Sequence, residues 1–288
     1  MIVTEPVHVV AGGTLATEVR SRLGELTPTE RRAAHVLLSN YPFAGLETVA
    51  QFAARAGVSA PSILRFIARL GFTAYADFQR RLKEELEAQL QSPLMKRMPS
   101  DRQGSAFADF AHAVASNLSQ TFDAIPPTEF DAITALLSDT KRRVHLVGGR
   151  FTEAIALYAV RHLRVVRPDV ALVEGQAATW RDQVIDFGKR DILVVFDIRR
   201  YQDDVVHFAE EAADRGSTIV LFTDQWLSPI ARLAKHVISA RIAVPSNWDS
   251  NAAIFAVVEA LIAAVTKSLW DVAEARMKAL EELRRKTR

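Results

Sequence analysis

The stretch from Thr48 to Phe72, TVAQFAARAGVSAPSILRFIARLGF, constrains the fold of this chain more than any other. Thr48 and Gln51 stand at the spacing of a capping box, in which an N-cap hydroxyl and an N3 amide satisfy each other's backbone. Gly57 suits the left-handed residue that ends a helix. A second helix follows at once: Ser59 is its expected cap, Pro61 fits its first turn, and Ile63, Phe66, Ile67 and Leu70 recur at helical spacing until Gly71. Two short helices across so tight a turn have the spacing of a helix-turn-helix, whose second helix enters the major groove of DNA. On that reading Gln51, Ser59, Ala60, Pro61, Ser62, Arg65 and Arg69 are the candidate DNA-contacting residues. Short polar groups let the backbone approach, and arginine forks match phosphate or guanine. The competing reading is a plain helical hairpin with a solvated basic face.

The flanks extend the pattern. Leu26 to Glu30, LTPTE, is a second capping box with proline at the first helical position, opening a helix with Ala33, Val36 and Leu37 on its apolar side and fading by Pro42. Downstream, Phe72, Tyr75, Phe78 and Leu82 place an aromatic-rich stripe on one more helix. From Leu26 to about residue 86 the chain resembles the N-terminal domain of the RpiR family of bacterial transcription regulators. The resemblance is carried by Gly57-Val58-Ser59, by Arg65-Phe66 and by Leu70-Gly71-Phe72. Ser62 stands where threonine is usual, and Pro61 is a less ordinary residue that alters which base step the helix can approach.

A chain of 288 residues with 49% hydrophobic residues has ample apolar surface for two packed domains. It has no cysteine, so disulfides, thiolate metal sites and thiol nucleophiles are excluded, and a reducing cytoplasm is the expected compartment. The opening MIVTEPVHVVAGG lacks the basic region of a secretory leader. The apolar run 252–265 is interrupted by Glu259 and is too short for a bilayer, so no membrane partner is expected. A net charge of +2 gives no global basic field, so any DNA contact must be local.

Residues 91–104, QSPLMKRMPSDRQG, read as a linker. They separate a helix-turn-helix domain at 14–90 from a second domain at 105–270, which a charged helix at 271–288 follows. Helical patterns at 107–124 and 130–137 precede candidate strands at 144–147, 170–173, 192–196, 218–222 and 236–239. Helices are expected between them at 152–163, 180–187, 203–215 and 228–234, with Asp203 and Ser228 as caps. A long apolar helix from Asn251 and a solvated charged helix at 272–286 end the chain. Nearly continuous Val/Ile/Leu strands alternating with amphipathic helices predict an α/β/α sandwich with a five-stranded parallel sheet in flavodoxin-like order, behind an all-α domain.

Ligands of such sheets bind beyond the carboxyl ends of the strands. Those ends carry Gly148, Gly149, Arg150 and Thr152 after the first strand, Asp197, Arg199, Arg200 and Gln202 after the third, and Thr223 and Ser228 after the fourth. Gly-Gly before a helix start, with three arginines nearby, suits an anion. The competing reading is that Arg199 and Arg200 pair with Asp197, Asp203 or Asp204, or with a second subunit. Residues 124–265 resemble a SIS domain, the sugar-isomerase fold that RpiR regulators use to sense phosphorylated sugars. VHLVGGRFTEAIA and LFTDQWLSPIARLAKHVI carry the likeness, and Thr152 falls where the family has a phosphate-binding serine. Where the family has Ser-x-Ser-Gly-x-Thr, this chain has Asp197-Ile198-Arg199-Arg200-Tyr201-Gln202, so arginine forks replace hydroxyls.

Catalytic signatures are sparse. The seven histidines lack metal-ligand spacing, and no GxSxG or P-loop pattern occurs, so no metal and no cofactor are expected. The sequence therefore predicts a non-enzymatic regulator, a homodimer or homotetramer. Its expected partners are a palindromic double-stranded DNA operator and a small anionic metabolite, a sugar phosphate or sugar acid. Two other classes stay open: a sugar-phosphate isomerase or lyase with an accessory DNA-binding module, and a ligand-free DNA-binding dimer.

Overall fold

The computed structural model describes residues 14–90 and 105–286, which fall into two compact units divided between Leu90 and Gln91. The expected linker 91–104 and the opening residues 1–13 lie outside the described residues.

The first unit is helical: α1 Leu15–Ser21, α2 Pro28–Ser39, α3 Phe43–Leu46, α4 Val49–Ala56, α5 Ala60–Arg69 and α6 Tyr75–Leu90. Both expected capping boxes form. Thr27 Oγ1 accepts from Glu30 N at the start of α2, and Thr48 Oγ1 accepts from Gln51 N at the start of α4. Gly57 ends α4 at φ 61°, and Val58 N–H reaches back to the Ala53 carbonyl (3.0 Å), the hydrogen bond that closes a left-handed helix end. Only the backbone angle requires glycine there, since nothing lies within 4 Å of a would-be Cβ. The helices enclose Phe52, Ile63, Phe66, Ile67, Leu37, Phe78 and Leu82 in one core, with α5 packed on both α2 and α4.

The second unit opens with α7 Ala106–Ala124 and α8 Pro127–Ser138, then alternates β1 Arg143–Gly148, α9 Glu153–Val166, β2 Val170–Leu172, α10 Ala177–Val184, β3 Asp191–Phe196, α11 Asp203–Asp214, β4 Thr218–Asp224 and β5 His236–Ala240. It ends with α12 Ala252–Ser268 and α13 Trp270–Lys286. All strand pairings are parallel, in the order β2-β1-β3-β4-β5. The central strand β3 is buried along its whole length, as helices on both faces require. One face packs Leu193, Val195, Ile219 and Leu221 against Val205, Phe208 and Ala209 of α11. α9 packs on β1, β2 and β3, and α12 packs on α7, α8 and α9. Arg167 is fully buried because its guanidinium satisfies the carbonyls of Leu137, at the end of α8, and Arg142.

Four expectations need correction. The helix foreseen at 228–234 is a single 3-10 turn, Pro229–Arg232, which Ser228 caps through Ile230 N (3.2 Å). The helix foreseen at 180–187 lies earlier, at Ala177–Val184. Gln202, not Asp203, holds the N-cap position of α11. α13 is not wholly solvated: it packs on α9, with Ala273 buried.

Candidate functional site

α5 carries the candidate DNA face of the first unit. Its buried side is Ile63, Phe66 and Ile67, which leaves Pro61, Leu64, Arg65, Ala68 and Arg69 exposed and Ala60 partly so. Ser62 departs from expectation because it is buried, and it serves Arg65: its Oγ lies 2.8 Å from Ser59 Oγ and accepts from Arg65 Nη2 (2.9 Å). Ser59 holds the N-cap position, yet its hydroxyl pairs with Ser62 instead of capping a backbone N–H. Arg69 is drawn back onto its own domain, with Nε 3.4 Å from Glu30 Oε2 and Nη1 donating to the Glu25 carbonyl (3.2 Å). Burial alone would raise the Glu30 carboxyl. The Thr27 hydrogen bonds and the charges of Arg69 and Arg65 outweigh that and hold it below its ordinary value. Gln51 is exposed, with its Oε1 engaged by Thr48 N (3.1 Å) and Thr48 Oγ1 (2.8 Å). Leu64, 45% exposed, and Ala68 are the residues of this face that sequence patterning did not single out.

In the second unit the chain turns from β1 into α9 and from β3 into α11 at the point where strand order reverses. A cleft of about 540 Å³ opens there, lined by Gly149, Arg150, Phe151, Thr152, Asp197, Ile198, Arg199, Arg200, Gln202, Trp248, Asp249 and Asn251. The structure thus brings together the expected residues of the first and third turns. It keeps Gly148, Thr223 and Ser228 out of the lining, all three being buried.

The backbone cradle expected after β1 is spent inside the protein. Gly149 N donates to Thr152 Oγ1 (2.8 Å), Arg150 N donates to Gln202 Oε1, and Thr152 N and Glu153 N both donate to the Gly149 carbonyl (3.0 and 2.8 Å). The glycines serve this closeness. A Cβ on Gly148 would sit 2.5 Å from the Thr152 carbonyl carbon, and one on Gly149 would strike the Gln202 amide. The Thr152 hydroxyl, which the family resemblance assigns to a phosphate, donates to the Phe196 carbonyl (2.6 Å) in a buried position. Hydroxyls of the fourth turn are committed too: Thr223 Oγ1 accepts from Ser228 N (3.0 Å), and Ser228 Oγ donates to Asp197 Oδ2 (2.6 Å).

Charge in the cleft therefore resides on side chains. Arg199 is buried in a two-point ion pair with Asp249, Nε to Oδ2 3.1 Å and Nη2 to Oδ1 3.0 Å, and lies over the Trp226 ring at 5.1 Å. The pairing foreseen for the arginines thus exists, with a carboxylate outside the expected set. Arg150 and Arg200 are exposed. Both stand beside the Phe151 ring, at 5.2 and 6.0 Å, and neither guanidinium meets a carboxylate among the described residues. Phe151 in turn packs edge-on against Trp248 (5.6 Å). Below them Asp197 is buried, and burial, with Asp224 nearby adding to it against the Ser228 hydrogen bond, pushes its carboxyl up to about 7. Asp224 is raised as well, mainly by burial, although Arg199 N, Trp226 N and Tyr201 OH all donate to it.

Phe151, Ile198, Trp248, Asp249 and Asn251 are the lining residues that sequence reading left out. Phe151 and Ile198 stood inside the quoted turns. The other three come from the segment between β5 and α12, and Asn251 Nδ2 ties that segment to the Phe151 carbonyl (3.2 Å).

Comparison with known proteins agrees with this architecture. Residues 13–89 match the helix-turn-helix domain of the rpiR family, and residues 136–264 match the SIS domain. The HTH-type transcriptional regulator HexR of Pseudomonas aeruginosa is 27% identical over 239 residues, 82% of this chain and 81% of HexR. The sugar isomerase domain of an RpiR transcription factor from Sphaerobacter thermophilus superposes with a TM-score of 0.58 at 23% identity, over 61% of this chain and 97% of that one. The Vibrio vulnificus NanR protein, in a complex with ManNAc-6P, superposes with a TM-score of 0.54 at 16% identity, over 93% of this chain and 97% of NanR. With an rpiR-type helix-turn-helix domain followed by a SIS domain, the chain belongs to the RpiR family of HTH transcription regulators.

Proposed function

We propose that this regulator is a non-enzymatic sensor of a small anionic metabolite, a sugar phosphate or sugar acid, which binds the cleft of the second unit and alters operator binding by the first. The observation that carries the reading is the placement of Arg150 and Arg200, two exposed guanidiniums flanking Phe151 without a carboxylate partner among the described residues. Guanidinium forks suit phosphate and carboxylate, and the Phe151–Trp248 pair offers an apolar wall for the face of a sugar ring. Arg200 takes φ 65°, a conformation costing a non-glycine residue about 1 to 2 kcal/mol, and strain of that kind gathers at binding sites. NanR, bound to a phosphorylated amino sugar, shares this fold, which supports a sugar derivative as the class of ligand. Asp197 replaces a hydroxyl at the cleft floor and favours a ligand hydroxyl or amine there.

A palindromic operator and a homodimer or homotetramer complete the reading. α7 supports it: of its residues only Thr121 is buried, and Phe107, Phe110 and Phe122 are exposed on a helix that a second copy would cover. The cytoplasmic location follows from the DNA target, and no single helix among the described residues is long and apolar enough to cross a membrane. Calorimetric titration of sugar phosphates and sugar acids into the full chain tests the sensor reading. Binding by an anion that Arg150→Ala with Arg200→Ala abolishes supports it, and binding that the double replacement leaves intact contradicts it. An enzymatic reading draws on Asp197, a carboxyl poised near neutrality at the cleft floor, and turnover of a sugar phosphate that Asp197→Asn abolishes would favour it instead.

A further inference from the structure

The exposed surface of α5 is unusual for a helix that meets DNA. Pro61, Leu64 and Ala68 follow one another at helical spacing and form an apolar line along the exposed side of the helix, with Leu64 45% exposed. Two arginines border that line, and the structure treats them differently. Arg69 is turned back to Glu30 and the Glu25 carbonyl, so its fork is occupied by its own domain. Arg65 donates to the buried Ser62 hydroxyl and feels the Glu30 charge without a hydrogen bond to it, which leaves further guanidinium donors for an outside acceptor. Pro61 also removes one N–H from the amino end of the helix, where a phosphate would otherwise be held.

A face built this way has one hydrogen-bonding reader and three apolar ones. In the major groove only thymine offers an apolar group, its C5 methyl, whereas guanine offers the O6/N7 acceptor pair that an arginine fork matches. Residues near the amino end of a recognition helix are the ones that reach base edges; Pro61 and Leu64 lie in the first half of α5, and Arg65 follows Leu64 directly. We infer that Leu64, supported by Pro61, is a specificity-determining residue that reads thymine methyl groups next to a guanine read by Arg65. This rests on α5 being the DNA-reading helix. It adds that recognition at these positions is through methyl contact instead of further hydrogen bonds.

The chemistry permits a direct test, because uracil pairs as thymine does and lacks only the methyl. The full chain is allowed to select its site from a random duplex library, and the enriched site is resynthesised with uracil at one thymine at a time. At one or two positions in each half-site the loss of the methyl should weaken binding about fourfold, the worth of one buried carbon. Leu64→Ala, an exposed change that leaves the core untouched, should bind the thymine and uracil duplexes equally at those positions while still requiring the guanine. Arg65→Ala should lose the guanine preference and keep the methyl preference. Equal binding of thymine and uracil duplexes by the wild-type chain, or methyl discrimination that survives Leu64→Ala, overturns the inference. Failure to enrich any site overturns the DNA-reading assignment of α5 itself, so the two claims fail separately.

Discussion

Arg199 and Asp249, fifty residues apart in sequence, meet side by side in the wall of the cleft in an ion pair with both oxygens engaged. Their partnership locks the segment between β5 and α12 onto the turn after β3. The same segment is held to α7 by Asn117 Nδ2 on the Ala243 carbonyl (2.8 Å) and by Arg241 N on Thr121 Oγ1 (2.9 Å). A ligand anion that competes with Asp249 for Arg199 would therefore act on a strap leading to α7, the first described helix after residue 104.

Asp249→Asn is expected to lower stability by about 3 kcal/mol, because it removes the carboxylate charge from a buried two-point ion pair. Urea denaturation followed by circular dichroism measures this, and an unchanged midpoint would show that the pair is not formed in solution. Asn117→Ala is expected to leave effector affinity within about twofold of wild type while reducing the effector's influence on operator binding, a coupling ordinarily worth about 1 to 3 kcal/mol.

Replacement of Arg150 and Arg200 together by alanine should weaken effector binding by about a hundredfold or more, since hydrogen bonds to charged groups contribute about 1.5 to 3 kcal/mol each. Calorimetry reads the change directly. Arg199→Ala should instead disturb folding, because its charge balances Asp249 and its side chain is buried.

In the DNA-reading unit, Arg65→Ala should cost about 1 to 3 kcal/mol of specific binding with an intact fold. Ser62→Ala, which removes the hydroxyl that steadies Arg65, should give a smaller loss in the same sense. Phe66→Ala differs in kind: it opens a cavity in the core and should cost about 3 to 5 kcal/mol of stability. A well-folded Phe66→Ala protein of wild-type stability would mean that the buried face of α5 is wrongly assigned.

Stability should depend on pH through Asp197. Its folded pKa of about 7 lies above the ordinary carboxyl value. Between about pH 4 and 7 the folded chain thus holds a proton that the unfolded chain has released, and stability falls as pH rises through that window. Asp224, raised by burial as well, acts in the same direction. Asp197→Asn, which can still accept the Ser228 hydroxyl, should raise the melting temperature at pH 8 and have little effect at pH 4. A gain of the same size at both pH values would contradict the raised pKa.

The fold was legible because its signals are local. Thr48 with Gln51, Gly57 and the run Ile63, Phe66, Ile67 mark α4 and α5 by themselves, whereas α1 and α3 were not foreseen, and the apolar strands fall within a residue or two of their expected ends. Part of the cleft was legible for the same reason, since Arg150 and Arg200 sit in turns that a parallel sheet must bring together. What the hydroxyls do was not legible. Thr152, Thr223 and Ser228 look like ligand-binding groups in sequence, and only the packing shows their hydrogen bonds turned inward. Trp248 and Asp249 escaped because nothing local distinguishes a cleft-lining segment from an ordinary connection, and their partners Phe151 and Arg199 are distant in the chain.

An anion held by Arg150 and Arg200 should change operator affinity. The most direct measurement is fluorescence anisotropy of the selected operator with the full chain at fixed salt, titrated with the metabolite that calorimetry identifies. In the wild-type chain operator affinity should shift by about fivefold or more as the cleft saturates, and the Arg150→Ala, Arg200→Ala protein should bind the operator equally with and without the metabolite. No shift in the wild-type chain, or the same shift in the double variant, would contradict the account.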